Sequence, residues 1–409
     1  MTSTSAKPRC GQLAALLLII FINLMGFGVV LPVFPFFGTM VDASPAQTTV
    51  AMAAYSLGQF IGAPLWGKLS DLYGRRPALL FSLTGAIAAY ILLAHATDIW
   101  MLGGSRLFGG LMAGNIAAAF AYVGDITTAE ERPGAMGMLG AAFGLGFIFG
   151  PAIGGLIAGN NPDLADFAAV GYASAAITAV AAVATIFLLP ESLTPERRAQ
   201  AQATGEQVGA ASVLRAKPVI AALMLLTLLV IGSAALMETT FAFFTHDMFG
   251  WGPVHVGLSF AAIGLISAVL QGAAAGPLAR RHGSANIAIA GVATHAAGLA
   301  LLASAATPTV TIAGLAVMAA GIGLFNPAFQ TLASEQTNDA DRGLVMGLTQ
   351  GASSLGRVIG PAVAGSIYVG IGWHAPFAIG AGVMLIALGT AVLVARQGPR
   401  DAAVAKAPS

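Results

Sequence analysis

Gly67-Lys68-Leu69-Ser70-Asp71-Leu72-Tyr73-Gly74-Arg75-Arg76 is the stretch of sequence that decides the fold. It collects four charged residues where the apolar run 47–70 ends and the apolar run 77–97 begins. Gly67 allows another helix to come close, and Gly74 permits a tight turn. A short charged turn between two apolar runs of about 20 residues predicts a hairpin of two membrane-spanning helices.

The composition of the whole chain agrees with a membrane protein. Of 409 residues, 57% are hydrophobic and only 9% are charged, whereas a soluble domain carries about 25% charged residues. A soluble enzyme of this composition would have too few charges to keep its surface hydrated. The single cysteine, Cys10, excludes a disulfide-rich secreted domain. The net charge of +1 gives no indication of a nucleic-acid partner.

Twelve stretches of the chain are long and apolar enough to cross a bilayer. They are 12–37, 47–70, 77–97, 99–125, 133–160, 165–189, 217–244, 253–279, 284–304, 308–333, 343–371 and 374–396. Sixteen of the eighteen Lys and Arg residues fall at the termini or in alternate loops, so the positive-inside rule places both termini in the cytoplasm. The first stretch is too long for the core of a signal peptide and is expected to remain as span 1. The four tryptophans fall at span ends, as in an aromatic belt: Trp66, Trp100, Trp251 and Trp373.

The chain repeats itself at an offset of 210 residues. Residues 131–157 align without gaps with residues 341–367, and Asp125 aligns with Glu335 at the same offset. A repeat of this length predicts two halves of six helices each in the same orientation, which is a transporter architecture.

The repeat sets the expected domain organisation, an all-α membrane protein with two pseudo-symmetric six-helix bundles. The N-terminal bundle is predicted over residues 1–189 and the C-terminal bundle over residues 217–409. A charged cytoplasmic linker with Pro190 and Pro195, residues 190–216, joins them.

The charged turn of the first half resembles the G-x-x-x-D-x-x-G-R-R signature of the major facilitator superfamily, which lies between spans 2 and 3. The resemblance implies a conformational latch that holds the cytoplasmic side closed in the outward-open state. Its residues would be Gly67, Asp71, Gly74, Arg75 and Arg76, with Asp125 at the end of span 4. The alternative is that the basic residues only set the topology. The second half has Arg280 four residues after Gly276, so the latch is expected to be asymmetric.

Span 5 contains Gly146, Gly150, Pro151, Gly154 and Gly155 in a pattern that resembles the antiporter motif of the same superfamily, g-x-x-x-G-P-x-x-G-G. The chemistry of this motif is packing, because a glycine face lets another helix approach and a proline bends the helix. The alternative is a general interface of small residues.

Two further stretches, 26–35 and 121–127, are similar to the tetracycline and multidrug efflux members of the superfamily, the twelve-span drug:H⁺ antiporters. Arg106 resembles the arginine of the superfamily's span-4 motif, which is linked to proton coupling; the alternative is that it snorkels to the interface. Several of those proteins carry an acid in span 1. In this chain the nearest polar residue is Asn23, which cannot titrate.

Glu238 is the only carboxylate well inside a predicted span. Because desolvation disfavours the charged form of a carboxyl group, a buried Glu can exchange a proton near neutral pH. Glu238 is therefore the candidate proton carrier, with Arg106 at a similar depth to tune it. The alternatives are a fixed ion pair, or a Glu238 that is hydrated in the vestibule.

Arg357 interrupts the repeat inside span 11 with a charge, which is costly in a membrane and indicates function. It is expected to bind an anionic substrate group or to pair with an acid. The candidates for a mixed polar and apolar substrate cavity are Asn23, Phe27, Tyr55, Gln59, Asn115, Glu238, Phe241, Gln271, Asn326 and Arg357. Any single polar member can instead form a hydrogen bond between helices.

These features predict a proton-coupled secondary transporter that exports amphipathic, drug-like molecules by alternating access. The expected setting is the bacterial inner membrane, where a monomer embedded in the lipid bilayer exchanges protons for a small-molecule substrate. No cofactor, metal, nucleic acid or enzymatic activity is expected. The alternatives are an exporter or facilitator of another solute (a sugar, an amphipathic metabolite or a lysolipid), a non-transporting membrane receptor, and an intramembrane enzyme.

Overall fold

The computed structural model describes residues 7–113, 115–128, 130–161, 165–193, 218–337 and 342–396, and within these ranges it contains helices and no strands. The helices of the first six predicted spans are α1 (Lys7–Val30), α2 (Phe34–Met40), α3 (Pro45–Tyr73), α4 (Arg75–Ala94), α5 (Ile99–Met112), α6 (Asn115–Ile126), α7 (Arg132–Ala158) and α8 (Phe167–Leu188). Those of the last six are α9 (Pro218–Phe249), α10 (Pro253–Val269), a π-helical segment (Leu270–Ala275), α11 (Gly276–His282), α12 (Ser284–Ala303), α13 (Pro308–Glu335), α14 (Arg342–Gly370) and α15 (Ala375–Arg396).

The helices fall on the twelve predicted spans in order. Spans 1 and 4 are each built from two helices, α1 with α2 and α5 with α6, and span 8 continues from α10 through the π-helical segment into α11. Among the described residues, ten helical runs are both long and apolar enough to cross a membrane. The other two long helices, α3 and α14, have 29 residues each but are more polar. The prediction of an all-helical membrane protein is confirmed.

Four long helices begin with a side-chain cap. Ser44 and Gln47 form a capping box at α3, Asp98 accepts hydrogen bonds from backbone N–H groups of α5, Asp166 caps α8, and Thr307 caps α13. Each cap satisfies a donor that the first helical turn leaves without a partner. All four helices belong to even-numbered spans, which under the predicted topology begin on the periplasmic side.

The chain forms two compact units. The first unit contains residues 1–206 with 245–264, and the second contains residues 207–244 with 265–409. The core of the first unit includes Leu16, Leu79, Tyr122 and Leu139, all fully buried. In the second unit, α12 and α13 approach closely at Gly298 and Gly321, where an added Cβ would overlap Met318 and His295. Small residues of this kind allow the tight helix packing that is typical of membrane bundles.

The tryptophans follow the belt prediction only in part. Trp100 at the start of α5 is 85% exposed, and Trp373 between α14 and α15 is also exposed. Trp66 is buried, and its Nε1–H donates to the Leu111 carbonyl at 2.6 Å. The prediction was wrong for Trp66 because a hydrogen-bonded indole can lie inside the bundle as well as at the interface.

Candidate functional site

Arg75 holds the charged turn of the first unit together. It is the first residue of α4, and its side chain is only 9% exposed. Its Nη1 donates to Asp71 Oδ1 at 2.5 Å and to Ser70 Oγ at 2.9 Å, and its Nε donates to Asp125 Oδ2 at 3.0 Å. The structure therefore brings together three of the four charged residues that the resemblance assigned to a latch, and it adds Ser70.

Glu191 and Ser192 complete this cluster, and sequence reasoning missed both. Glu191 accepts hydrogen bonds from the backbone N–H groups of Arg75 at 2.9 Å and Arg76 at 3.0 Å, so it caps α4 from the segment that follows α8. The Ser192 hydroxyl donates to Asp125 Oδ2 at 3.0 Å. A carboxylate at a helix N-terminus is stabilised by hydrogen bonds and by the helix dipole. The only signal in the sequence was an acid directly after Pro190, which ends span 6.

The two glycines of the turn behave differently. Gly74 has a φ of 111°, and a Cβ there would overlap the carboxylate of Glu191, so this position requires glycine for two reasons. Among the described residues, nothing lies within 4 Å of a Cβ built on Gly67. A close helix contact at Gly67 stays a prediction. Arg76, the last residue of the motif, donates from Nη2 to the Ile186 carbonyl at 2.5 Å.

The corresponding turn of the second unit has a different set of charges. Gly283 has a φ of 86° and precedes α12, as Gly74 precedes α4. The Ser284 hydroxyl donates to Glu335 Oε2 at 2.8 Å, and Arg280 makes no ion pair with any residue that the structure describes. The side chains here line an open cleft that also includes Thr331. The two turns thus differ both in their charged residues and in the contacts of these residues, while the latch itself stays a prediction.

The glycine face of the antiporter motif packs against α1. A Cβ on Gly146 would lie 2.7 Å from Leu24 Cβ, one on Gly150 would lie 2.7 Å from Gly28 Cα, and one on Gly154 would overlap the Val29 carbonyl. In the second unit, Gly356 and Gly360 of α14 approach Gly232 of α9 in the same way. The two aligned glycine-rich helices thus each pack on the first helix of their own repeat.

Gly155 belongs to a second contact face of the same helix. A Cβ on Gly155 would lie 2.6 Å from the Pro253 carbonyl, and one on Gly257 would overlap the Pro151 carbonyl. Residues 253–264 belong to the first unit, so both faces of the motif are packed within that unit. The motif is a close-packed junction of three helices, α7 with α1 and the first part of α10.

Arg106 is a buried cation surrounded by aromatic rings. It is 6% exposed, and its Cζ lies 4.4 Å from the ring centroid of Tyr55, 5.2 Å from that of Phe34 and 5.7 Å from that of Phe27. Each aromatic face attracts the guanidinium group through its quadrupole. Arg106 is therefore held inside the first unit and does not extend along the helix to a surface.

A small cavity lies beside these rings. Its lining includes Asn23 and Phe27 of α1, Tyr55 of α3 and Tyr90 of α4. Three of the predicted substrate-cavity residues, Asn23, Phe27 and Tyr55, are thus brought together inside the first unit. Tyr90 was missed, because its place in an otherwise apolar span gave no signal.

Glu238 and Arg357 form a loose ion pair in the second unit. Glu238 Oε2 lies 3.8 Å from Arg357 Nη1, which is longer than a hydrogen bond, and the two side chains are 31% and 41% exposed. Arg357 therefore has an acid as its neighbour, one of the two roles expected of it. The role of Arg106 as the residue that tunes Glu238 stays a prediction.

The remaining candidate residues lie on several elements. Phe241 is fully buried on α9, Gln59 and Asn326 are half-buried on α3 and α13, and Gln271 is exposed in the π-helical segment. π-helical turns occur often at functional sites. The side chain of Asn115 lies outside what the structure describes.

The comparisons with known proteins agree on one family. The family model described as "Major Facilitator Superfamily" matches residues 16–304 and 256–409. The tetracycline resistance protein, class C, of Escherichia coli is 31% identical over 379 residues, which cover 90% of this chain and 93% of that protein. Multidrug resistance protein 2 of Bacillus subtilis (strain 168) is 29% identical over 390 residues, covering 94% and 95%.

The fold is also found among solved structures. The nucleoside transporter NupG superposes with a TM-score of 0.75 at 15% sequence identity and covers 94% of this chain and 98% of its own. At this identity the likeness concerns the fold alone.

Proposed function

Since the chain belongs to the major facilitator superfamily, we propose that it is a proton-coupled antiporter that exports amphipathic, drug-like molecules by alternating access. The similarity to tetracycline and multidrug resistance proteins over nine-tenths of the chain supports an efflux function in drug resistance. The protein is an integral, multi-pass membrane protein, and its relatives are transporters.

The observation that carries the proposed mechanism is the loose ion pair between Glu238 and Arg357. The two charged groups are 3.8 Å apart and both side chains are partly exposed, so the charges attract each other but the groups form no hydrogen bond with one another. A ligand or a proton can therefore separate them at a modest cost. In this proposal Glu238 carries the proton. When the proton binds, the carboxylate loses its charge and Arg357 loses its ion-pair partner.

The direction of coupling restricts the substrate. A purely anionic substrate would compete with Glu238 for Arg357, so protonation of Glu238 would favour its binding, and proton and substrate would travel together. A substrate with a cationic group needs an ionised Glu238, which makes proton and substrate mutually exclusive, as antiport requires. A zwitterion uses both charges at once, with its cation on Glu238 and its anion on Arg357. We therefore assign zwitterionic amphiphiles as the preferred substrates.

The remaining parts take the roles that the resemblance implies. The cluster of Arg75 with Asp71 and Asp125 forms the latch in one transport state, and the glycine faces of α7 keep the antiporter motif closely packed. The protein acts as a monomer of two six-helix bundles, 1–189 and 217–409, joined by the linker 190–216. It lies in the bacterial inner membrane with both termini in the cytoplasm.

The test is transport of tetracycline, with a panel of zwitterionic, cationic and neutral amphiphiles, into proteoliposomes with an acidic lumen. We expect Glu238→Gln to lose accumulation driven by the pH gradient, because the amide cannot release a proton. Exchange of a labelled for an unlabelled neutral amphiphile without a gradient should persist, because a neutral substrate does not need the ionised carboxylate. Arg357→Ala should reduce the preference for the zwitterion over its esterified, cationic counterpart.

The matched control is Glu130→Gln, the same chemical change at an exposed acid of a cytoplasmic loop. It should transport like the wild type. Wild-type accumulation by the Glu238→Gln variant would refute Glu238 as the carrier. Transport of the wild type that ignores the pH gradient would refute antiport altogether.

A further inference from the structure

Arg106 is a cation without a counter-charge. No carboxylate lies within ion-pair distance of it among the described residues, and its buried Nε makes no hydrogen bond. The three aromatic faces around it attract a cation but carry no net charge of their own. A buried charge is costly when nothing of opposite sign compensates it, so the surroundings of Arg106 are electrostatically incomplete.

The small cavity next to Arg106 has polar groups that the protein does not use. Asn23, Tyr55 and Tyr90 are among the residues that line it, and the side chains of these three form no hydrogen bond with the described part of the chain. Amide N–H and phenol O–H groups are hydrogen-bond donors. Two of the rings that contact Arg106, Phe27 and Tyr55, also form part of the cavity wall.

These observations point to a ligand that is small, accepts hydrogen bonds and carries one negative charge. The cavity measures about 20 Å³, which is room for about one water molecule. A water molecule could satisfy the donors but would leave the charge of Arg106 uncompensated. Asn23 can offer a hydrogen bond to such a ligand, but it brings no charge to the site.

We propose that the cavity bounded by Asn23, Tyr55 and Tyr90 binds one small inorganic anion of the size of chloride, as the counter-ion of Arg106. The site lies wholly within the first unit and is separate from the Glu238–Arg357 pair of the second unit. In the low dielectric of the bundle, Coulomb attraction acts over longer distances than in water, so the anion need not contact the guanidinium.

The test is thermal melting of the purified protein in detergent, with sodium chloride replaced stepwise by sodium gluconate at constant ionic strength. Gluconate is too large for the cavity. We expect chloride to raise the melting temperature by roughly 3 °C in a saturable manner, because it binds the folded state only. Asn23→Asp should remove this response, since the new carboxylate supplies the missing charge within the protein. Arg106→Gln should remove it as well.

The control variant is Asn286→Asp, the same change at an exposed position of α12, and it should keep the chloride response. A wild-type melting temperature that does not depend on chloride would overturn the proposal in favour of a bound water. Stabilisation by a carboxylated substrate without any by chloride would overturn it in favour of a substrate subsite. Neither readout depends on transport, so the outcome is independent of the antiport mechanism.

Discussion

The charged turn of the first unit and its counterpart in the second unit have similar backbones but place different charges on them. In both, a glycine with positive φ precedes a 20-residue helix, Gly74 before α4 and Gly283 before α12. At an offset of 209 residues, Arg280 stands in place of Asp71 and Ser284 in place of Arg75. The first turn contains a buried arginine among carboxylates, and the second borders an open cleft.

The comparison separates what the repeat preserves from what it varies. The turn geometry is needed to connect two antiparallel spans, so both units keep it. The ionic cluster is not needed for that connection, because the second turn forms without one. The charges of the first turn are therefore available for a function such as a latch, and three pairs of substitutions test this separation.

The largest effect is expected for Arg75→Ala. Removing the guanidinium takes away the cationic partner of Asp125, whose side chain is only 14% exposed, and breaking a buried pair in this way costs about 3–5 kcal/mol. The melting temperature in detergent should fall by roughly 10 °C. The matched change in the second unit, Ser284→Ala, removes one hydrogen bond to an exposed acid and should cost about 1 kcal/mol. Equal losses in the two variants would contradict a special role for the first cluster.

An effect of intermediate size is expected when the glycine of each turn is replaced by alanine. Gly74→Ala and Gly283→Ala both place a Cβ at positive φ with an extended ψ, a conformation that costs a residue other than glycine about 1–3 kcal/mol. Only at Gly74 would the new atom also overlap the Glu191 carboxylate, since nothing lies within 4 Å of it at Gly283. Gly74→Ala should therefore melt several degrees lower than Gly283→Ala. The same melting temperature for both would mean that Glu191 does not cap α4 in the membrane protein as purified.

The smallest effect is expected when the second turn is given the charges of the first. The double variant Arg280→Asp with Ser284→Arg places a guanidinium beside Glu335 and restores an acid four residues before it. We expect a gain of about 1 kcal/mol, or roughly 3 °C, together with slower transport. Arg280→Asp alone is the control, because it adds an acid without a partner. A double variant that behaves like this single one would show that the backbone of the second turn cannot hold the cluster.

Much of the fold could be predicted because the positions of apolar and charged residues along the chain are enough to place the spans. Span length and the glycine-rich motifs follow from spacing along the chain, whereas the grouping of Arg75 with Asp71 and Asp125 was implied by the resemblance to the family's signature. Glu191 could not be predicted, because its partners are backbone N–H groups 115 and 116 residues away, and backbone groups have no sequence signature.

The sequence also did not predict how each helix is rotated about its own axis, and therefore which residues face a neighbouring helix. Glu238 and Arg106 share a predicted depth, and depth alone suggested that they act together. The structure places Arg357 beside Glu238 in the second unit, which depends on the face that each helix presents. The burial of Trp66 was missed for the same reason, since a residue near a span end can face inward or outward.

The position of Glu238 along α9 has an electrical consequence. Glu238 lies twenty residues after Pro218, or about 30 Å at 1.5 Å per residue, which is close to the thickness of the hydrocarbon core. In the proposed mechanism, with both termini in the cytoplasm, a proton would reach Glu238 from the periplasm over a short path and would leave it across nearly the whole bilayer. The membrane potential, worth about 2.3 kcal/mol per charge for each 100 mV, therefore acts mainly on proton release to the cytoplasm. The membrane potential, and not the acidity of the periplasm alone, should therefore set the rate at which Glu238 releases its proton and becomes able to bind the next substrate.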